Sequence, residues 1–177
     1  MPWPGCSRAS IPMSSVEGAL ARASYRSRQL LRSLRPRLEA EELAEAERFL
    51  GAALFPLFLS MAPRDQRHCL DVYRHLRAAG CADRELLMAA LLHDVGKGRQ
   101  VRLWHRVAYV ILMAVAPWLR PRLRGGLAAL RDHPQRGAAL LAVAGAPPGV
   151  VELVRGHEDS AGADERLSLL QEADDSC

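Results

Sequence analysis

The sequence predicts an all-α protein with a single helical domain. Alanine, leucine and arginine are plentiful while aromatic residues make up only 5% of the chain, a composition that favours helix over sheet. Apolar residues recur at helical spacing over most of the chain. Strand-like alternation and internal repeats are both missing from the sequence.

Length and composition narrow the class of protein. The 177 residues suffice for one domain with a substantial core, and 49% hydrophobic with 25% charged residues is typical of a soluble globular protein. We find neither an apolar run of about 18 residues, which a spanning helix needs, nor a secretory signal. The cysteines show no metal-binding spacing, so we interpret them as reduced thiols of a cytoplasmic protein. They are Cys6, Cys69, Cys81 and Cys177.

The N-terminal third is predicted to be separate from the core domain. Residues 1–14, rich in proline, glycine and serine, indicate a disordered tail. Residues 15–62 are predicted to form N-terminal helices that pack on the core or precede it. The first, over 15–34, is basic; a solvated face is the favoured interpretation, with nucleic-acid or acidic-membrane binding as alternatives. The second helix is predicted to open at Pro36.

A helix over residues 64–79, ended by Gly80, begins the core domain. His68 shares a stripe with Val72 and Leu76 at spacings of four residues, so we expect it to face inward. His75 lies near the same stripe but lacks an acidic or metal-type neighbour. We interpret it as a core or rim histidine.

The central helix of the predicted domain leads directly into the main candidate metal ligands. Residues 86–92 leave no polar face, which predicts a helix buried on every side. That helix delivers His93 and Asp94 at its inner end, where an ionised carboxylate costs several kcal/mol unless it is paired or holds a metal. Lys97, the only lysine of the chain, lies on the same side of the helix end. We interpret this stretch as the heart of a metal site.

A second apolar helix is predicted over residues 101–119, from Val101 to Leu119. Its run 107–119 is free of charge and is flanked by arginines, and it is too short to span a bilayer. The favoured interpretation is a helix buried in the core or in a dimer. The alternative is a membrane-surface segment. Its anchors would be Trp104, Tyr109 and Trp118.

Two more helices bring further histidines to element ends. Pro134 suits the first position of a helix, which predicts His133 at the N-cap just before it. A short helix over residues 148–156 is predicted to end on His157.

The last helix adds a carboxylate. Over residues 164–174 it turns Asp174 inward, while Asp175 points about 100° away. Six polar residues are thus turned inward or placed at helix ends, and imidazoles with carboxylates suit divalent ions such as Mn, Fe, Co, Ni or Zn. One such histidine alone would be an ordinary core residue; the conjunction indicates a metal site. The six residues are His68, His93, Asp94, His133, His157 and Asp174.

The order of these residues resembles that of the HD superfamily of metal-dependent phosphohydrolases. The resemblance runs from about Asp65 to Asp174 and implies an HD-type helical domain over residues 63–177. The string His-Asp-Val-Gly-Lys at 93–97 looks like the HDIG-type signature with valine for isoleucine. Matching later segments are His-Pro-Gln-Arg-Gly-Ala-Ala-Leu-Leu at 133–141 and the Ala-Asp pair that ends at Asp174.

The resemblance implies two ligand groups that share a carboxylate. One divalent metal, Mg included, would be held by His68, His93, Asp94 and Asp174. Asp94 would bridge to a second metal held by His133 and His157. Lys97 would contact the substrate phosphate, so Lys97 and Asp94 are the implied catalytic residues. The implied reaction is hydrolysis of a phosphomonoester or phosphodiester by metal-activated water, on a nucleotide-like substrate and without an organic cofactor.

Departures from the family pattern limit the assignment. Cyclic-dinucleotide phosphodiesterases of the HD-GYP type carry adjacent histidines where this chain has Gly156 and His157, and their Gly-Tyr-Pro signature is missing here. This argues against a cyclic-di-GMP substrate and leaves the number of metals, one or two per chain, open.

The sequence therefore predicts a metal-dependent phosphohydrolase that acts on a phosphorylated, nucleotide-like small molecule. The first rival is a non-catalytic metal- or nucleotide-binding module on the same fold, acting as a sensor or partner. The second is a peripheral membrane or nucleic-acid binding protein led by the basic N-terminal helix and residues 101–119. Nucleic acid is the less favoured partner, and a homodimer stays open.

Overall fold

The structure, a computed structural model, describes residues 38–99, 101, 103–159 and 164–177. Within these ranges it contains seven α-helices, two short 3-10 helices and no strand, which confirms the all-α prediction. The predicted tail over 1–14 and basic helix over 15–34 lie outside the described residues. The α-helices are α1 (Ala40–Ser60), α2 (Pro63–Ala78), α3 (Arg84–Leu92), α4 (Leu103–Val115), α5 (Gly125–Val143), α6 (Pro148–Gly156) and α7 (Glu165–Ser176). The 3-10 helices are Val95–Lys97 and Pro117–Arg122.

Helix α3 lies at the centre of the domain, as predicted. Every side chain from Leu86 to Leu92 is buried, and α1, α2, α6 and α7 all contact the helix. The Asp83 carboxylate caps its start by accepting the backbone N–H groups of Glu85 and Leu86 at 2.9 and 3.1 Å. The C-terminal end of this apolar helix then places the next two residues, His93 and Asp94, in the interior.

Helix α1 begins later than predicted. Leu38 and Glu39 are not helical, and the helix starts at Ala40, so the predicted opening at Pro36 was wrong. The reason is local, since Glu39 forms a capping box with Glu42, three residues on. The helix is broken at Gly51, whose φ of 73° is the left-handed conformation that glycine tolerates.

Glu42 also ties α1 to α2. Its carboxylate accepts hydrogen bonds from Arg67 and from Arg74, each at 2.7 Å. The hydrogen bond from Arg67 lowers the pKa of Glu42 to about 2, so the link is ionised over the whole neutral range.

The predicted helix start at Pro134 was also wrong. Helix α5 runs unbroken from Gly125 to Val143, and Pro134 lies inside it with His133. A proline in a helix lacks the N–H that would reach the carbonyl four residues earlier, here that of Leu130. His133 Nδ1 lies 2.8 Å from that carbonyl oxygen and takes the place of the missing donor. The helix therefore tolerates the proline because a side chain satisfies the freed carbonyl.

The 3-10 helix Val95–Lys97 packs directly against α5. A Cβ atom at Gly96 would collide with the carbonyl oxygen of His133 and lie 2.7 Å from the backbone nitrogen of Gly137. Only glycine fits at such a backbone approach. The glycine of the His-Asp-Val-Gly-Lys string is thus explained by packing.

Helix α4 lies at the side of the domain and is not a core helix, so that part of the prediction was wrong. It packs on α5, where Tyr109 covers a small cluster of Val101, Ala129 and Leu130. Tyr109 therefore faces inward and is not an outward anchor. Trp104 and Trp118 are exposed. No helix in the described part of the chain is long and apolar enough to cross a membrane.

The last two helices follow the prediction closely. Helix α6 has the expected bounds, and His157 follows it directly. The Asp164 carboxylate caps α7 by accepting the N–H groups of Arg166 and Leu167 at 2.9 and 3.2 Å. On α7, Asp174 is partly buried and Asp175 is exposed, which confirms the predicted orientation.

Candidate metal centre

Three histidines from three helices are oriented in the same way. In His93, His133 and His157, Nδ1 lies 3.0, 2.8 and 2.7 Å from the backbone carbonyl oxygen three residues earlier. A carbonyl oxygen can only accept, so each Nδ1 carries a proton, and Nε2 is left as the nitrogen that can bind a metal when the ring is neutral. Two of these carbonyls lie in the last turns of α3 and α6, where helical partners run out, and Pro134 frees the third. The acceptors are Ala90, Leu130 and Val154.

Asp94 lies between these imidazoles. Its Oδ1 is 3.6 Å from His93 Nε2 and 3.4 Å from His133 Nε2, and the side chain is completely buried. The ammonium of Lys97 lies 2.5 Å from the same oxygen. Burial acts to raise the pKa of Asp94, but Lys97 and the two imidazoles outweigh it and hold that pKa well below its usual range. Asp94 is therefore an ionised carboxylate in a dry interior.

The first donor group consists of His68, His93 and Asp94, whose ligand-type atoms lie within 4.8 Å of one another. Asp174 joins its edge, with Oδ1 2.6 Å from His68 Nε2 and 3.5 Å from His93 Nε2. Burial acts to raise the pKa of Asp174, but the hydrogen bond with His68 and the nearby ring of His93 outweigh it and lower that pKa far below its usual value. The side chains of His68 and Asp174 are 28% and 33% exposed, so this side of the centre is open to solvent.

The second donor group consists of Asp94, His133 and His157, all buried, again within 4.8 Å of one another. The Nε2 atoms of His133 and His157 are only 3.0 Å apart. Because both rings carry their proton on Nδ1, two lone pairs face each other across this gap. Burial, together with His93 and His133, lowers the pKa of His157 to about 3. His157 is therefore neutral at physiological pH, the form in which imidazole binds metal.

The donor set fits a divalent cation. Within the described ranges, His93 Nε2 and Asp94 Oδ2 are buried without a hydrogen-bond partner, whereas buried polar atoms are normally paired. A cation between the facing nitrogens of His133 and His157 would also relieve their repulsion. Because Asp94 belongs to both groups, the set is compatible with one or two ions per chain, and its mixture of imidazole and carboxylate suits first-row divalent metals.

All six predicted ligand residues thus converge on one place, and Lys97 lies beside them. His75 is exposed on α2 and belongs to neither donor group.

Two charged residues next to the centre escaped the sequence analysis. Asp65 is 2% exposed and lies one turn before His68 on α2. Arg106 of α4 contacts its carboxylate as an ion pair. Burial and the charge of Asp94 raise the pKa of Asp65, while Arg106 and Lys97 act to lower it. The spacing of three residues from His68 could have revealed Asp65, but Arg106 lies 41 residues away in sequence and gave no signal.

Two further groups border the imidazoles. Glu158 Oε1 lies 3.7 Å from His133 Nε2 at the exposed rim, and its place directly after His157 was a usable signal. The Cys69 thiol lies 3.7 Å from His93 Nδ1. Burial raises the pKa of that thiol, so it stays protonated and packs as a small apolar group.

The fold and the donor set define a helical domain whose clustered imidazoles and carboxylates could hold a metal ion. The family model for the HD domain matches residues 66–176, more than half of the chain, and the protein belongs to this family. This confirms the resemblance drawn from the motifs, and it assigns the domain to the superfamily of metal-dependent phosphohydrolases. Searches of curated proteins and of solved structures give no match.

Proposed function

We propose that the protein is a metal-dependent phosphohydrolase acting on a nucleotide-like, phosphorylated small molecule. The observation that carries the proposal is Asp94, a fully buried carboxylate shared by two donor groups with an ammonium 2.5 Å away. A bound divalent ion would supply an activated water nucleophile and positive charge for the phosphoryl oxygens. The nucleotide class rests on the family resemblance.

The chain itself contributes orientation and fixed charge. The carbonyls behind His93, His133 and His157 hold all three rings with Nε2 directed at the centre. The buried charge of Asp94 attracts a cation, and the low pKa of His157 means that this ligand binds without losing a proton. Substrate would enter at the partly exposed side formed by His68 and Asp174.

Lys97 is the group that we assign to substrate binding. Burial acts to lower its pKa, but Asp94 outweighs this and keeps the pKa raised, so Lys97 is a cation. In the structure its ammonium balances the charge of Asp94. With a divalent ion bound near Asp94, the ammonium of Lys97 would be available to a substrate phosphate.

The test pairs elemental analysis of the purified protein with phosphate release from a panel of nucleotides and dinucleotides in the presence of Mn. We expect tightly held metal and turnover, both lost in Asp94→Ala. Asp174→Ala should weaken metal binding, while Asp175→Ala, its exposed neighbour, serves as the matched control and should change neither. Metal without turnover would instead identify a non-catalytic binding module. A protein that holds no metal under any loading condition would contradict the proposal.

The role of Lys97 is tested separately. Lys97→Ala should retain the metal content and lose phosphate affinity or turnover. A metal-free Lys97→Ala protein would show that the lysine supports the metal site and not the substrate.

A further inference from the structure

The outward face of α4 is apolar without interruption. Every exposed side chain that the structure describes on this helix is apolar. Three of them, Trp104, Val107 and Ile111, follow one another at spacings of three and four residues, which is one stripe of a helix. The large side chains are between 52% and 68% exposed, and Trp118 in the next 3-10 helix is 67% exposed. The exposed residues of α4 are Trp104, Val107, Val110, Ile111, Ala114 and Val115.

The orientation of α4 is fixed by its inner side. Tyr109 packs on the cluster against α5, and Arg106 contacts the buried carboxylate of Asp65. Rolling the helix to hide its apolar stripe would break both contacts. Single exposed apolar residues are ordinary, but a contiguous apolar face on a domain surface marks an interaction site.

The segment around this face carries charge of one sign. Residues 95–131 contain no Asp or Glu, and they carry Lys97 and seven arginines. Three of these arginines, Arg120, Arg122 and Arg124, are exposed directly beyond the apolar stripe. An apolar strip with cationic residues at its end is complementary to a bilayer surface that has anionic headgroups over an acyl interior.

We propose that α4 and the 3-10 helix Pro117–Arg122 form an in-plane anchor that docks the domain on an anionic lipid bilayer. The 13 residues of α4 extend over about 20 Å, and they lie along the surface without spanning it. Trp104 and Trp118 lie near the two ends of the strip, where their rings suit the headgroup level. The exposed arginines bind the lipid phosphates.

The charge distribution disfavours two other occupants of this face, a second copy of the chain and the chain's own N-terminal residues. In a two-fold pair of chains, the acid-free segment 95–131 would meet itself, with arginines facing arginines and no counter-charge. The N-terminal residues 1–38 carry seven arginines against a single glutamate, so they have the same sign. An anionic surface is the partner that matches both the apolar strip and its charge.

The primary test is flotation of the full-length protein with phosphatidylcholine vesicles that contain or lack phosphatidylglycerol. We expect binding only to the anionic vesicles and its loss in the double variant I111E/V115E. L140E/V143E is the matched control, since Leu140 and Val143 are 43% and 90% exposed on α5 and receive the same two negative charges away from α4. Circular dichroism and metal content of I111E/V115E establish that the domain and its centre are intact.

The charge component has its own pair of variants. R122Q/R124Q should weaken binding to anionic vesicles roughly tenfold to thirtyfold, since each arginine near such a surface contributes about one kcal/mol. R48Q/R64Q removes the same charge from exposed positions on α1 and α2 and should leave binding unchanged. Equal weakening by both pairs would mean that binding follows net charge and would overturn the anchor.

Tryptophan fluorescence locates the contact. In a Trp3→Phe protein only Trp104 and Trp118 remain, and their emission should shift to the blue with anionic vesicles. Failure of the wild-type protein to float with any vesicle, or flotation of I111E/V115E like the wild type, overturns the proposal. So does a dimer in vesicle-free solution, seen by analytical ultracentrifugation, that I111E/V115E dissociates, because the occupant is then a second copy. All three readouts are independent of catalytic activity.

Discussion

The metal centre and helix α4 reverse the usual distribution of side chains in opposite ways. At the inner end of α3, imidazoles and a carboxylate are buried, and His93 Nε2 and Asp94 Oδ2 have no hydrogen-bond partner there. On α4, side chains such as Ile111, 56% exposed, face water. Burying unpaired polar atoms and exposing apolar ones both cost folding free energy. The comparison teaches that this chain gives up folding stability at two places, which our proposals explain by a metal ion bound at one and a lipid bilayer at the other.

The two regions are also physically joined. Arg106 leaves the inner side of α4 and contacts Asp65, which lies one turn from His68 on α2. A change at this pair therefore reaches both regions.

The largest effect is expected from Gly96→Ala, which tests how tightly the centre is packed. The new methyl group would collide with backbone atoms of α5, which cannot rotate away, so we expect the free energy of unfolding to fall by about 4 kcal/mol. Gly156→Ala is the control, because its methyl group would meet Leu167 Cδ2 at 3.4 Å, an ordinary contact. Urea unfolding measures both. Equal stability of the two variants would show that the backbone approach is not tight in solution.

Removal of metal should lower thermal stability through the metal centre and not through helix α4. A ligand that binds only the folded state at a hundred to a thousand times its Kd stabilises by about 3–4 kcal/mol. Chelation should accordingly lower the melting temperature by about 10 °C. The I111E/V115E protein should show the same drop, and Asp94→Ala none. A chelator effect that persists in Asp94→Ala would place the stabilising metal elsewhere.

Arg106→Ala tests the link between the regions. It leaves the buried carboxylate of Asp65 without its cation, and we expect a loss of about 2 kcal/mol at neutral pH. Burial raises the pKa of Asp65 in the folded state, and an acid with a raised pKa regains stability as the pH falls through that pKa. The deficit of Arg106→Ala should therefore shrink toward acid pH and be relieved by adding Asp65→Asn.

The control for this prediction is Arg155→Ala. Its ion pair with Glu152 is exposed, at 48% and 67%, and should contribute less than about 0.5 kcal/mol at any pH. A deficit in Arg106→Ala that is equally small, or that grows in acid, would argue against a buried pair.

Pro134→Ala should act on the centre alone. An alanine restores a backbone N–H that competes with His133 Nδ1 for the carbonyl of Leu130. We expect metal affinity to fall about tenfold, as for loss of other partners that orient a ligand, without loss of thermal stability. Pro148→Ala, at the exposed first position of α6, is the control. Unchanged metal affinity in metal titrations of Pro134→Ala would show that His133 needs no such partner.

The smallest effect is expected on the outward face of α4. Ile111→Ser removes an apolar side chain that the isolated fold does not bury, so stability should change by no more than about 0.5 kcal/mol. Leu87→Ala, in buried α3, should cost about 3 kcal/mol by the same urea assay. A large loss in Ile111→Ser would mean that this face is covered within the chain.

The sequence predicted correctly those parts of the fold for which the local residue pattern allows only one arrangement. An all-apolar run at 86–92 has to be buried on every side, and this placed His93 and Asp94 in the interior. Pro148 opens α6 at the bound that its position predicted, and helical geometry separated Asp174 from Asp175. Four of the six site residues, His93, Asp94, His157 and Asp174, lie on or directly after these elements.

Other features depended on neighbours that the sequence does not reveal. Pro134 has the local preference of a helix start. In the structure the helix already begins at Gly125, and it continues through Pro134 because His133 satisfies the carbonyl that the proline leaves free. The apolar composition of α4 fits a core helix and an outward-facing helix equally well, and only packing against α5 decides. The Asp65–Arg106 pair joins residues 41 positions apart and has no periodic signature.

The contact at Gly96 has a consequence for motion. At Gly96 the backbones of the 3-10 helix and α5 lie directly on each other, so a rotamer change at that point cannot let the two elements slide. The part of the centre formed by His93, Asp94 and His133 therefore moves as one rigid body. Helices α2 and α7 carry the partly exposed His68 and Asp174 and form the open side of the centre. Solvent therefore reaches the centre from one side, and a ligand would enter and leave there.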